Sequence, residues 1–225
     1  MIEIVGTSHI AQESIQKIQN TFQTFQPDFV ALELDPGRLH ALLHPHQKTS
    51  HFEIIRAVGI KGYLFAQLGR FVQNKLGKAI GMKPGVDMLT ALRLAQEKKK
   101  PFILIDQNIQ ITLQRISQQL TWKEKFQFIK DIFHPPKEYQ SLKKDLRSLP
   151  SSELIREILI HLKKYYPNLY RVLVHERNQH MIRELRHFEH HHPDKKILVI
   201  IGAGHEEAMR YVLIPPSQPS PQKII

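Results

Sequence analysis

The sequence predicts an α/β layer fold, a mixed or mostly parallel central sheet flanked by helices. Two observations predict it. Four short apolar runs, at residues 2–5, 29–34, 102–105 and 197–201, are rich in Val, Ile, Leu and Phe without clean alternation, the pattern of strands buried on both faces. Between them, apolar residues recur at helical spacing: Ile15, Ile18, Phe22 and Phe25 after the first run, Met88, Leu92 and Ala95 before the third, and Ile109, Leu113, Ile116 and Leu120 after it. Strands alternating with helices build layers. Asn168 stands where it would cap a long helix running from Leu169 towards His190.

A chain of 225 residues, 41% of them hydrophobic, supports one substantial core rather than two. The expected domain therefore covers residues 1–214. Within it, residues 56–83 hold six Lys or Arg and no Asp or Glu, with a stripe of Ile60, Leu64 and Leu68, and read as a basic helical insertion or lid. Residues 215–225 are proline-rich and read as a tail or linker.

Composition excludes several function classes. There are no cysteines, so disulfides, thiolate zinc sites and a cysteine nucleophile are out. No apolar run approaches the ~20 residues of a membrane-spanning helix. No basic leader precedes an apolar segment at the start, so no signal peptide is expected. The net charge of +11 favours acidic partners, but no zinc-finger, helix-turn-helix or aromatic-basic signature points to nucleic acid. There is also no phosphate loop, Gly-x-Ser-x-Gly elbow or dinucleotide fingerprint.

The residues just past each strand carry the chemistry. The first run leads into Gly6-Thr7-Ser8-His9 and the second into Glu33-Leu34-Asp35, with Arg38 close behind. The third meets Asp106, and the fourth meets Gly202-Ala203-Gly204-His205. Ligands of open α/β sheets bind beyond the carboxyl ends of the strands, and four strands here bring ionisable groups to that edge. Gly6 and Gly202 are expected to let the chain turn at once, placing His9 and His205 over the edge. Backbone N–H groups at the two Gly-x-x-His turns, around Gly6, Ser8, Gly202 and Gly204, suit an anion or cofactor. Glu33 lies in an apolar run where a bare carboxylate is costly. Glu176, beside Val172 and Leu173 in a helical pattern, either serves the site or pairs with Arg115, Arg171 or Arg177. Two imidazoles with two carboxylates suit Mn, Zn, Co or Fe as a divalent ion. The Glu189-His190-His191-His192 cluster reads as cations complementing a helix end.

These residues, taken in order, also resemble the TraB/PrgY family, which includes the TIKI proteins, is similar to GumN and is more distantly similar to ChaN and erythromycin esterase. The matching pieces are Gly6-Thr7-Ser8-His9-Ile10, Leu32-Glu33-Leu34-Asp35 with Arg38, and Pro84-Gly85-Val86-Asp87-Met88. They continue with Leu104-Ile105-Asp106, Thr112 with Arg115, Glu176-Arg177-Asn178 with Met181, and Ile201-Gly202-Ala203-Gly204-His205. The chain departs from the family pattern at Gln107, where Arg is usual, and at Asp87, where Glu is usual.

The resemblance implies a sheet like that of ChaN and erythromycin esterase, a site at the two Gly-x-x-His turns and metal-dependent proteolysis. It also implies a link to pheromone shutdown and membrane helices beyond this domain, making the chain a soluble fragment of a membrane protein, in the cytoplasm or at the cytoplasmic membrane face. The expected function is a metal-dependent hydrolase, a peptidase acting on a peptide or signalling protein. His9, Glu33 and His205 would hold the ion. Glu176 would act as general base or complete the metal shell, with Asp106 beside it. Arg115 or Arg38 would neutralise a substrate carboxylate or an oxyanion. The alternatives are a non-enzymatic pheromone- or ligand-binding domain, a membrane-associated adaptor and a haem or metal carrier. The expected partners are a peptide or protein substrate, an anionic membrane surface and a second copy of the chain.

Overall fold

The computed structural model describes residues 1–7, 11–44, 55–56, 59, 63, 85–133 and 151–214. His9, Ser8, nearly all of the basic segment 56–83 and the tail 215–225 lie outside the described residues. The described elements run β1 (Ile2–Thr7), α1 (Ala11–Phe25), β2 (Phe29–Leu32), α2 (Pro36–Leu43), α3 (Val86–Glu97), β3 (Phe102–Leu104), α4 (Ile109–Gln119) and α5 (Trp122–Phe133). They continue with α6 (Ser151–Tyr165), α7 (Pro167–Tyr170), a π-helical segment (Arg171–Glu176), α8 (Arg177–His191), β4 (Ile197–Gly202) and α9 (Ala203–Leu213).

The four strands form one parallel sheet in the order β1-β4-β2-β3. β4 lies between β1 and β2: Val5 pairs with Ile200, and Leu32 pairs with the same residue from the other side. Period-two geometry then divides the strand's side chains between two cores. Leu198 and Ile200 join Val5, Val30 and Leu32 under α1 and α3, against Ile18, Phe22, Met88 and Leu92. Ile197, Val199 and Ile201 join Ile4 under α8 and α9, against Met181, Leu185 and Met209. β4 is buried along its length except at Gly202, which is why its sequence reads as an unbroken apolar run.

The helical stripes bury largely as their spacing predicts, with one shift. On α4 the buried positions are Thr112 and Ile116, followed by Leu120, while Ile109 is exposed. The helix predicted after Asn168 is also built differently. Tyr166 occupies the cap position of α7 and Asn168 caps nothing with its side chain. The Asn168 backbone N–H donates instead to Glu124 Oε1 of α5 at 2.9 Å. A carboxylate from another element thus satisfies the donor that a local cap would have met. Among the described residues, no helix is long and apolar enough to cross a membrane.

The connections place a crevice at the carboxyl edge. β1 and β2 lead to helices on one face, and β4 leads to α9 on the other. Where neighbouring strands send the chain to opposite faces, their carboxyl ends leave a gap between the departing loops. Glu33, one residue past β2, and His205, on the first turn of α9, both stand at that gap.

Candidate functional site

Glu33 extends β2 by one backbone bond, its N–H donating to Ile200 O at 3.0 Å. Its side chain turns to the start of α9, where Gly202 N–H donates to Glu33 Oε2 at 2.5 Å. The anion held at this helix start is therefore the chain's own carboxylate. The geometry corrects the reason expected for the glycines: neither Gly6 nor Gly202 has a left-handed φ, and Gly202 has an ordinary extended one of −63°. Close approach explains them instead. A Cβ on Gly202 would come within 3.3 Å of Glu33 Oε2, and one on Gly6 would fall on the Glu206 side chain of α9.

His205 is 6% exposed. Its Nδ1 lies 2.5 Å from Asn178 Oδ1, an acceptor, so Nδ1 carries the proton of the neutral ring. Nε2 then faces two partners of opposite kind. Arg177 Nη1 stands 3.1 Å away as a donor, and Glu33 Oε1 stands 3.3 Å away as an acceptor. A neutral ring accepts from Arg177, and a protonated ring donates to Glu33. Both protonation states have a partner without movement of the backbone.

Arg177 joins this pair to the third strand. Its Nη2 donates to Glu33 Oε1 and, at 2.5 Å, to Asp106 Oδ2, while Nε donates to Asp106 Oδ1 at 3.0 Å. Arg38 donates to Asp106 from Nη2 and to Asp35 from Nε, the latter at 2.5 Å. Asp35 also caps α2, accepting from Gly37 N–H and Arg38 N–H, with Pro36 pre-set at the first helical position. Three carboxylates and two guanidiniums thus alternate along the edge of β2 and β3, and the Arg38 side chain, 30% exposed, reaches solvent.

The charges reinforce one another. Burial works to raise the Glu33 carboxyl, but His205, Arg177 and the Gly202 N–H outweigh it and hold the group far below the usual carboxylate range. Burial likewise opposes ionisation of Asp106, and the Arg177 and Arg38 guanidiniums overcome it. Arg177 is driven the other way: burial favours its loss of charge, yet Glu33 and Asp106 raise it above the ordinary arginine value.

The other predicted residues sit in separate contacts. Glu176 accepts from Arg115 Nε at 3.0 Å and Nη2 at 2.8 Å, and Arg171 Nε lies 3.9 Å away. Both Glu176 oxygens therefore face Arg115, whose bonds hold the carboxyl below its ordinary value. Glu176 ends the π-helical segment, whose wider turn breaks the 3.6-residue spacing used to align it with Val172 and Leu173. Gly204 packs against α6, where a Cβ would lie 3.7 Å from Leu159. At the two departures from the family pattern, Asp87 is 3% exposed and accepts from Thr7 Oγ1, and Gln107 Nε2 donates to Thr112 Oγ1 at 3.0 Å. Sequence reasoning missed the central place of Arg177 and Asn178. Both stand in the Glu176-Arg177-Asn178 piece, but nothing local marked them as partners of Glu33 and His205.

The donor set has some of the features of a metal site. Glu33 Oε1 and His205 Nε2 are ligand-type atoms, and the bond from Nδ1 to Asn178 turns Nε2 outward as a ligating histidine requires. Against this, the Arg177 guanidinium already stands at Nε2. Among the described residues, no three His, Asp or Glu side chains stand together as an ion would need. The described pair therefore fits an ion only with Arg177 drawn away from Nε2 and with a further ligand from outside the described residues.

A parallel α/β domain with a buried acid–guanidinium–imidazole cluster at the carboxyl edge of its sheet is the class that fold and site define. Comparison with known proteins gives the family. The model of the TraB/PrgY/gumN family matches residues 1–208, and the chain belongs to that family. It is 30% identical over 214 residues to an uncharacterized protein of Methanocaldococcus jannaschii, covering 94% of this chain and 53% of that protein. It is 27% identical over 204 residues to a TraB domain-containing protein of Homo sapiens, covering 82% of this chain and 52% of that protein. The chain spans about half the length of the curated relatives it matches.

Proposed function

We propose that this chain is a hydrolase, most specifically a peptidase, whose water-activating group is His205 supported by Glu33. The observation that carries the reading is the double environment of His205 Nε2. A general base must take a proton from water and hold it. Nε2 faces a donor while neutral and a carboxylate once protonated, so proton uptake trades one partner for another. Asn178 keeps the ring in the tautomer this needs. Arg38, partly open to solvent, is the cation best placed to meet a substrate carboxylate or a developing oxyanion.

In the metal-dependent form of this reading, His9, Glu33 and His205 would hold a divalent Mn, Co, Zn or Fe ion. Such an ion would lower the pKa of a bound water and polarise a carbonyl. Glu176 then acts through structure, holding Arg115, rather than as a base.

One observation favours a second reading, a ligand-binding domain without catalysis: Arg177 already neutralises Glu33 and Asp106 and stands at Nε2. Metal content and peptide cleavage, measured on wild type, His205→Ala and Glu33→Gln, separate the two. The hydrolase reading expects cleavage products by mass spectrometry that vanish in both variants, and its metal form expects an ion in wild type that both variants lose. Intact peptides with all four metals added would leave the binding domain.

A further inference from the structure

α8 and α9 lie side by side and run the same way. Asn178 meets His205 at their starts, and Arg186 Nη2 reaches Val212 O at 3.5 Å near their ends. α6 packs on α9 through Ile155 and Leu159, which lie against Gly204. Between the three helices runs an open groove of about 1900 Å³.

The groove is polarised along its length. Near the starts of α8 and α9 it is lined by Val174, Ala203, Gly204 and the polar His175, Asn178 and Gln179, with Ile182 a turn further on. This less charged end adjoins the residue that fixes the His205 tautomer. Beyond Ile182 and Glu207, these two helices give the groove no carboxylate: its lining there includes Arg183, Arg186, His187, His190, Arg210 and Tyr211, with Arg183 3.8 Å from Glu184 and Arg210 paired with Glu3 and Glu206. α6 adds Arg156 and, over the Tyr170 ring at the other end, Lys163, neither with a carboxylate partner among the described residues. Three acids also line the groove, Glu153, Glu206 and Glu207; Glu206 and Arg210 offset one another at 3.0 Å, and the remaining cations, Arg156, Lys163, Arg183 and Arg186, outnumber the two acids left.

We propose that this groove binds an acidic, apolar peptide segment, with its apolar side chains towards Asn178 and its carboxylates towards Arg183, Arg186 and Arg156. Charge complementarity selects that occupant. A second copy of a chain with net charge +11 brings the wrong overall sign. A flat anionic membrane meets the rim of a concave groove but not its less charged end. The proposal deepens the hydrolase reading by naming its substrate class, and it rests on that reading for the word substrate. The binding itself does not depend on catalysis.

The test titrates the full chain against a short fluorescein-labelled peptide of Leu and Glu, and against its counterpart with Lys in place of Glu, by fluorescence anisotropy. The acidic peptide is expected to bind and the basic one to fail. The exposed double substitution Arg183→Glu with Arg186→Glu, and separately Arg156→Glu, should each weaken acidic-peptide binding by about tenfold with unchanged circular dichroism. Equal binding of the two peptides, or unchanged affinity in both charge-reversed forms, overturns the proposal. Displacement of the peptide by phosphatidylglycerol vesicles, with the same dependence on Arg183 and Arg186, overturns it in favour of lipid. Charge-dependent binding without cleavage supports the groove and removes the hydrolase. Cleavage indifferent to the charge reversals removes the groove and keeps the hydrolase.

Discussion

Arg177 gathers more of the site than any other described residue. It touches Glu33 from β2, Asp106 after β3 and His205 from α9, and each contact is to a group at most 10% exposed. Removing one member of a buried ionic cluster strands the charges left behind. Arg177→Gln is therefore expected to lower unfolding stability by about 3–5 kcal/mol, because Glu33 and Asp106 then face each other without a shared cation. Arg115→Ala should cost only about 1 kcal/mol or less, since that guanidinium is 40% exposed and its pair with Glu176 is screened by water. Acid dependence comes from the carboxyls. Glu33 and Asp106 are held below their ordinary values, so their stabilisation is fully present above the unfolded carboxylate pKa and is lost as pH falls towards the folded one. The stability gap between wild type and Glu33→Gln should close progressively below about pH 4.3. Urea unfolding at steps from neutral to acid pH measures it, and a gap that widens in acid would contradict the assignment. Glu33 itself was legible in the sequence because a carboxylate inside an apolar run demands a partner. The partner was not, because Arg177 lies 144 positions away, beyond reach of any local pattern.

At the scale of elements, Glu124 joins two helix starts. It closes a capping box with Thr121: Thr121 N–H donates to Glu124 Oε2 at 3.0 Å, and Glu124 N–H donates to Thr121 Oγ1 at 3.2 Å. The same carboxylate accepts from the backbone N–H and the side-chain amide of Asn168, at 2.9 and 2.8 Å, at the start of α7. Because α7 leads through the π-helical segment into α8, this link helps set where Arg177 and Asn178 arrive. Glu124→Ala is expected to cost about 1 kcal/mol, the cost typical of a lost cap, since Thr121 is exposed and Asn168 half-buried. It should also speed hydrogen exchange at the Asn168 amide, read by NMR. An unchanged exchange rate would show that something else caps α7. The link to Asn168 was not legible in the sequence, since a cap supplied from another helix leaves no mark beside the residue it caps. The strands were legible because burial on both faces forces continuous apolar runs. The π-helical segment was not, because its residues are those of an ordinary helix and tertiary packing selects the wider turn.

The whole molecule is closed by its last strand. β1 and β2 pair with β4 on either side and not with each other, so the sheet order β1-β4-β2-β3 leaves the first three strands in two pieces until residues 197–202 arrive. Both cores share that dependence: Leu198 and Ile200 complete the one under α1 and α3, and Ile197, Val199 and Ile201 complete the one under α8 and α9. At about 1.5–3 kcal/mol for each fully buried large apolar side chain, the strand contributes as much as a typical domain's net stability. The site depends on it as well, since Gly202 N–H and His205 arrive with β4 and α9. A chain ending at Lys196 is therefore expected to show no cooperative urea transition, although α1 and α3 retain helical spacing of their own. Supplying residues 197–214 as a separate peptide should restore part of the transition, because β4 needs no covalent link to occupy its slot. Circular dichroism during urea titration measures both arms. A sharp transition in the truncated chain alone would mean that β1 and β2 can pair without β4, and would remove the strand from its central role.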